Sequence, residues 1–374
     1  MAEVKVTDVS AEELARAEKG FLAFPIERLK NAALPVEVFL PRRNPAQGRL
    51  EMVSLLAPER TLPRRLYDKL VGAGLDICYC RRSEVINLIQ FNNQFLAGAL
   101  HNYSLPVAEK ARHIYDQGLL LVEHAMTDQR LGPNITMCQR YLKFLSSFIS
   151  RDQAASRSLS EMLVLDYSLY THSVNVCLLC TAFGHFLGLG TGQIQSLSLA
   201  SLYHDLGKRD VPKDILLKDG PLSREEWEWM RRHPLAGFEA LKPVAKMPFE
   251  SLNAVRQHHE NLDGTGYPHG LRSHEIVMES RILRIVDAYD AITSRRSYKP
   301  AFEPAEGIRL MLTELKGKIA SDLLTSFVVF LGEIGGGGEL LGRGRVRRRH
   351  VLSNPPEPPL VSAADASPDP KGSG

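Results

Sequence analysis

The sequence predicts a mainly α protein, in which an all-α helical bundle follows a small α+β module and precedes a disordered tail. Apolar residues recur at helical spacing from Ser83 to about Leu331, for example at Val107, Ala111 and Ile114. The chain before this region mixes short apolar runs with Gly and Pro, whereas the chain after it is rich in Gly, Arg and Pro.

The first 82 residues predict an accessory or regulatory α+β module. Apolar runs at 36–40, 52–56 and 75–80 have the length and flanking residues of strands. Residues 62–71 predict a helix that ends at Gly72 and Gly74. The polar residues 1–18 are expected to fray.

The remaining chain divides into linking helices at 83–126, a catalytic bundle at 127–334 and a tail at 335–374. The tail begins with the glycine run 335–338 and continues with five arginines between Arg343 and Arg349. No aromatic residues lie between these arginines to stack on bases, so a solvated linker is favoured over contact with nucleic acid or acidic lipid.

The net charge, the cysteine count and the distribution of apolar residues exclude several classes of protein. The formal charge of +3 over 374 residues is too small to imply a polyanionic partner. Five cysteines are few and odd in number, which argues against a disulfide framework, and Cys177 and Cys180 lie in an apolar run that predicts core positions. The sequence shows neither a secretory signal nor a membrane-spanning run, so a cytoplasmic protein is expected.

Three short segments concentrate residue types that bind metals. They contain His172, the pair His204-Asp205 and the pair His258-His259, to which His233 and Asp287 are added. Each residue alone has an ordinary explanation as a structural histidine or a helix cap. The adjacent pairs followed by Gly-Lys and by a Gly-rich loop are improbable together by chance, so a shared metal site is predicted.

The predicted helices place several of these side chains at helix ends. An apolar stripe leads to His204 at the end of its helix, which Gly207 then stops. Ser223 and Glu226 form a capping box, and Pro234 suits a first turn with His233 at its mouth. Asp287 lies off the apolar stripe of its own helix, so it needs a polar or metal contact.

The segments His204-Asp205, Lys208, His258-His259-Glu260 and Asp263–Pro268 (DGTGYP) resemble the HD-GYP family, a branch of the HD-domain phosphohydrolases. The resemblance extends from about Val107 to Lys299. It implies an HD-type bundle and a metal-dependent hydrolase that converts cyclic di-GMP to the linear dinucleotide pGpG, and further to GMP where hydrolysis continues, in bacterial second-messenger signalling.

The resemblance also implies a ligand set for two divalent metal ions. One ion takes His172, His204 and Asp287, the other takes His233, His258 and His259, and Asp205 bridges both as a catalytic residue. Fe or Mn is favoured for such ligands, while Zn, Ni and Mg remain compatible. Some members carry a Glu that supports a third metal at the position of Ser168. Two ions are therefore expected here, which leaves two products open, the linear dinucleotide pGpG or GMP.

Further residues are expected to contact the substrate or support the ligands. Lys208 is expected to stabilise developing charge on the phosphate as a catalytic residue. Asp263 supports His258 or His259, or else holds its loop. Tyr267 stacks on a guanine or packs the loop. Asp290 is expected to form a structural salt bridge with an arginine. Gly264 and Gly266 are expected to let the backbone approach the substrate closely or to adopt a positive φ. Arg296 and Lys299 are expected to contact the substrate, with a solvated helix end as the alternative.

Two rival functions stay open at this point. One is an HD phosphohydrolase that acts on another nucleotide, and the other is a catalytically weak cyclic-dinucleotide sensor. The expected partner is cyclic di-GMP and not a nucleic acid polymer. Homodimerisation, or a signalling partner that binds the N-terminal module, is left open.

Overall fold

The computed structural model describes residues 20–335, except 31, 45–46, 100, 103, 129, 152, 164–167 and 296–300. A four-stranded sheet with one helix comes first, and the described chain from Val85 onward forms helices joined by loops. This arrangement confirms the predicted mainly α class with a small N-terminal α+β module. The tail from residue 336 lies outside the described residues.

The sheet is antiparallel, with the strand order β1-β4-β2-β3. Alternate residues such as Leu22 and Phe24 are buried, as the two-residue period of a strand requires. Three strands and the helix confirm the sequence prediction within about three residues, whereas the short β1, which ends in a proline, was not predicted. The elements are β1 Phe21–Pro25, β2 Val38–Arg43, β3 Leu50–Leu56, α1 Arg64–Gly72 and β4 Ile77–Arg81.

The helical part starts with the two predicted linking helices and continues with the bundle. The division into domains at residues 82, 126 and 334 stays a prediction. The helices are α2 Val85–Ala99, α3 Val107–Thr127, α4 Leu131–Arg151, α5 Gln153–Glu161, α6 Leu169–Phe186, α7 Thr191–Tyr203, α8 Lys213–Leu216, α9 Arg224–Met230, α10 His233–Leu241, α11 Phe249–Gln257, α12 Met278–Thr293, α13 Pro304–Glu314 and α14 Ser321–Ile334.

Helix α6 runs through the middle of the bundle and packs against α3, α4, α7 and α12. It is buried on nearly every side, so most of its residues are apolar or small. Cys177 and Cys180 lie in this core, as predicted, and all five cysteines are free and buried. Burial raises the pKa of the Cys177 thiol to about 12, which makes it unreactive.

The N-terminal module rests on helix α3. Asp116 of α3 pairs with Arg28 at 3.3 Å, and Glu123 pairs with Arg82 at 3.0 Å. Among the described helices, none is both long enough and apolar enough to cross a lipid bilayer.

Candidate metal centre

Seven imidazole and carboxylate side chains converge in one buried pocket of the bundle. Within each of three overlapping groups the candidate ligand atoms lie within 4.8 Å of one another. The helices α6, α7, α10, α11 and α12 each provide or adjoin at least one of them. The structure therefore brings together all seven side chains that the sequence predicts as ligands, namely His172, His204, Asp205, His233, His258, His259 and Asp287.

Helix ends place several of these side chains. His204 is the residue at which α7 ends, and Asp205 begins the 3₁₀ turn Leu206–Asp210. His233 begins α10 with a proline in its first turn, as predicted. The predicted capping box of Ser223 and Glu226 starts α9, the helix that leads to His233.

Three of the imidazoles are fixed by the same backbone contact. Nδ1 of His204 lies 2.7 Å from the Ser201 carbonyl oxygen, and His233 and His258 make the same contact with Met230 and Val255. A carbonyl oxygen only accepts, so each Nδ1 carries the hydrogen and each Nε2 carries a lone pair.

These Nε2 lone pairs point at each other in two close pairs. Nε2 of His172 lies 3.2 Å from Nε2 of His204, and Nε2 of His233 lies 3.1 Å from Nε2 of His258. A proton in these gaps is disfavoured because burial lowers the pKa of His204 and His258, and lowers that of His233 to about 4. Two neutral imidazoles in this geometry fit a metal cation between them.

Asp205 lies between the two histidine groups. Its Oδ1 is 3.3 Å from Nε2 of His233, whereas its Oδ2 is 3.4 Å from Nε2 of His204. Oδ1 is buried and accepts no hydrogen bond from any described residue, so an electropositive partner at this oxygen fits the site. Burial raises the pKa of Asp205, but Lys208 and the neighbouring histidines hold it well below its ordinary value.

Lys208 and Asp287 complete the electrostatics of the pocket. Nζ of Lys208 lies 2.6 Å from Oδ2 of Asp205. Asp287 faces both histidine groups, with Oδ1 3.1 Å from Nε2 of His172 and Oδ2 4.0 Å from Nδ1 of His259. Burial opposes ionisation of Asp287, yet His172 and His259 keep its pKa well below the ordinary value, so the carboxylate is charged.

Asp290 supports the site in a way that the sequence analysis missed. The expected salt bridge to an arginine is replaced by contact with His172, whose Nδ1 donates to Oδ2 of Asp290 at 2.7 Å. This contact turns Nε2 of His172 toward the other candidate ligands. Asp290 follows Asp287 by one helical turn, so the two carboxylates lie on the same face of α12. This spacing is the sequence signal that could have placed Asp290 at the site.

Comparison with known proteins agrees with this geometry. Residues 157–321 match the HD domain family. The cyclic di-GMP phosphodiesterase PA4108 of Pseudomonas aeruginosa is 37% identical over 188 residues, which are 50% of this chain and 45% of that protein. A cyclic di-GMP phosphodiesterase of Thermotoga maritima is 34% identical over 45% of this chain and 46% of its own length.

Residues 157–321 are thus similar to the HD domain family and to cyclic-dinucleotide phosphodiesterases. A third relative, the 3'3'-cGAMP-specific phosphodiesterase 2 of Vibrio cholerae, is 35% identical over 39% of this chain and 28% of its own length. The chain thus spans less than half the length of these relatives. Bd1817 of Bdellovibrio bacteriovorus, described as an HDG"Y"P protein, shares the fold with a TM-score of 0.63 at 18% identity, over 82% of this chain and 98% of that one.

The loop that follows His259 is held by the third residue of the family's HHE segment. Glu260 is buried and accepts hydrogen bonds from the backbone N–H groups of His269 at 2.7 Å and Leu271 at 2.9 Å. Sequence reasoning used Glu260 only as part of the motif. Its contacts hold the chain that follows the DGTGYP segment close to the metal pocket.

The two loop glycines meet different steric requirements. Gly264 has a φ of +83°, in the left-handed region that favours glycine. A positive φ is one of the two alternatives predicted for this residue. Gly266 lies so close to the backbone of Glu260 and Asn261 that a Cβ would overlap it. At Gly266 the backbone therefore approaches the backbone of Glu260 and Asn261 closely.

Two further loop residues make contacts within the protein, and the predicted contact of Tyr267 with a guanine stays a prediction. Asp263 is exposed and accepts hydrogen bonds from the backbone N–H of Thr265 at 3.0 Å and from its hydroxyl at 2.6 Å, which is the loop-holding role. The Tyr267 ring stacks on His259 with 4.8 Å between centroids, which packs the loop onto a candidate ligand. Arg296 and Lys299 lie outside the described residues.

Gly207 gives a prediction about how the pocket is assembled. A Cβ at this position would overlap the carbonyl oxygen of His233 and lie 2.6 Å from the backbone nitrogen of Gly237. Because both neighbours are backbone, Gly207→Ala must displace the start of α10 and with it His233. We expect urea unfolding to show a loss of about 3 kcal/mol, the upper range for overpacking, together with reduced metal content.

Gly192→Ala is the matched control. Gly192 lies in the first turn of α7, and a Cβ there would meet nothing within 4 Å. The control is expected to be neutral or to gain up to about 1 kcal/mol. Equal stability and equal metal content in the two variants would contradict the packing role of Gly207.

Proposed function

We propose that this chain is a metal-dependent phosphodiesterase that hydrolyses cyclic di-GMP to pGpG in bacterial second-messenger signalling. The observation that carries the proposal is the convergence of four Nε2 lone pairs and two charged carboxylates in one buried pocket. Burying such a donor set costs free energy that bound cations would offset. The substrate class comes from the relatives, which are phosphodiesterases of cyclic dinucleotides.

The donor set divides between two divalent ions. His172, His204 and Asp287 would hold one ion and His233, His258 and His259 the other, since these are the groups whose atoms lie together. Asp205 would bridge them, because its two oxygens face different groups. Mixed imidazole and carboxylate ligands favour Fe or Mn. When bound, the ions supply Lewis acidity and an activated water at neutral pH.

The protein's own groups then bind and orient the anionic substrate. Lys208 holds its ammonium beside Asp205, where it can also contact a phosphate oxygen and stabilise the charge that develops there. Burial of the pocket excludes water and strengthens these interactions. No side-chain nucleophile is required, because the carboxylates and imidazoles of the described pocket would act as metal ligands.

The proposed product follows from Ser168. Its hydroxyl accepts from the backbone N–H of Thr171 at 3.0 Å and caps helix α6. A hydroxyl used in this way adds no charged ligand beside His172, which supports two ions instead of three. A site with two ions is expected to stop at the linear dinucleotide pGpG.

The test is a turnover assay with the purified full chain, reconstituted separately with Mn and with Fe. Cyclic di-GMP, 3'3'-cGAMP and pGpG are each supplied, products are separated by chromatography, and metal content per chain is measured. We expect cyclic di-GMP to yield pGpG with two ions bound and little GMP. Bound metal without any product would support the sensor, and turnover of a different nucleotide alone would support another phosphohydrolase.

A further inference from the structure

A buried chain of hydrogen bonds leads from helix α3 to the candidate ligand His172. The hydroxyl of Tyr115 on α3 donates to Oδ1 of Asn175 at 3.1 Å. Nδ2 of Asn175 donates to Oδ1 of Asp290 at 3.0 Å. The other oxygen of Asp290 accepts from Nδ1 of His172 at 2.7 Å. Each of these four side chains is at most 5% exposed, so water does not compete for the contacts.

The donor and acceptor roles along this chain are fixed by chemistry. The Asp290 carboxylate accepts only, so the amide NH₂ group of Asn175 must face it. The amide oxygen of Asn175 then faces Tyr115, whose hydroxyl must donate. The carboxylate of Asp290 cannot rotate without breaking a contact at each of its oxygens, because Oδ1 is held by Asn175 and Oδ2 by His172.

Helix α3 is also the helix on which the N-terminal module rests. Asp116, the residue after Tyr115, pairs with Arg28 at 3.3 Å, and Arg112 one turn earlier pairs with Glu27. Helix α3 thus contacts the N-terminal module through Arg112 and Asp116. Through Tyr115 it also begins the hydrogen-bond chain to His172.

We propose that Tyr115 and Asn175 are positioning residues of the metal centre, through which helix α3 fixes the ring of His172. The proposal deepens the proposed function and rests on its metal centre. Groups that orient a histidine ligand commonly change metal affinity by 10- to 100-fold when they are removed. Tyr115 stands two links further out, so its effect lies at the lower end of that range.

The test compares Tyr115→Phe with Tyr141→Phe. Tyr141 is also buried, but its hydroxyl has no hydrogen-bond partner among the described residues, so its removal serves as the matched control. Affinity for Mn²⁺ is measured by competition with a chromophoric chelator, without nucleotide. We expect Tyr115→Phe to weaken binding by about 10-fold and Tyr141→Phe to leave it unchanged. The melting temperature of each metal-free variant reports any general loss of stability.

If Tyr115 acts on His172 only through Asn175, the losses of Mn²⁺ affinity in the two variants should not add. Asn175→Ala removes the link to Asp290, so adding Tyr115→Phe to it should weaken Mn²⁺ binding no further, whereas independent structural effects would add. Wild-type affinity in Tyr115→Phe, an equal loss in Tyr141→Phe, or additive losses in the double variant would each overturn the proposal. Because the readout is Mn²⁺ alone, unchanged affinity in Tyr115→Phe refutes the positioning role of Tyr115, whereas absence of cyclic-dinucleotide turnover refutes the proposed function.

Discussion

Asp205→Asn is expected to lower the proposed phosphodiesterase activity roughly 10³-fold while the protein stays folded. An amide has the size of the carboxylate, but it offers a single oxygen and no charge, so it cannot face both histidine groups as Asp205 does. The loss of a bridging anion should cost about 4 kcal/mol of transition-state stabilisation, roughly 10³-fold in kcat/KM. Turnover of cyclic di-GMP and metal content per chain measure both consequences.

The control for this variant is Asp210→Asn, which makes the same chemical change five residues later. The Asp210 side chain is 63% exposed and pairs loosely with Arg209 at 3.8 Å. We expect wild-type activity from it. Circular dichroism of both variants shows whether they are folded. Activity of Asp205→Asn within tenfold of wild type, at full metal content, would refute the bridging role.

The metal-free protein should lose stability sharply on acidification between about pH 6.5 and pH 4. Burial lowers the pKa of His233 from 6.5 to about 4, and it lowers those of His204, His258 and His259. Above pH 6.5 these imidazoles are neutral whether the chain is folded or unfolded. Below pH 6.5 these imidazoles are protonated in the unfolded chain but stay neutral in the folded chain. Acidification therefore favours unfolding. The contribution of His233 alone at pH 5 is about 2 kcal/mol.

Urea unfolding of chelator-treated protein at pH 7.5, 6 and 5 measures this loss. His233→Asn should show a shallower decline than wild type, whereas His274→Asn, which changes an exposed histidine, should follow wild type. The carboxylates do not interfere, because the lowered pKa of Asp205 and Asp287 affects stability only below their ordinary value of 3.8. A free energy of unfolding that is the same at pH 7.5 and pH 5 would contradict the neutral, buried state of these histidines.

The sequence by itself determined the fold class, most element positions and the identity of the seven converging side chains. It could do so because helical periodicity, capping residues and adjacent ligand pairs are local signals, readable without knowing which segments meet. His204 at the end of α7 and His233 before Pro234 are examples, since each position depends on residues within a few places along the chain.

Only the tertiary structure decided which partners fix those side chains. Asp290 and Asn175 support His172 although Asp290 lies 118 residues away from it in the chain, and Glu260 holds its loop through backbone groups about ten residues later. The sequence predicts Gly207 as a helix stop, whereas packing against the His233 carbonyl makes its lack of a Cβ necessary. Such contacts depend on the distance between segments that are remote in sequence, and local patterns carry no information about that distance.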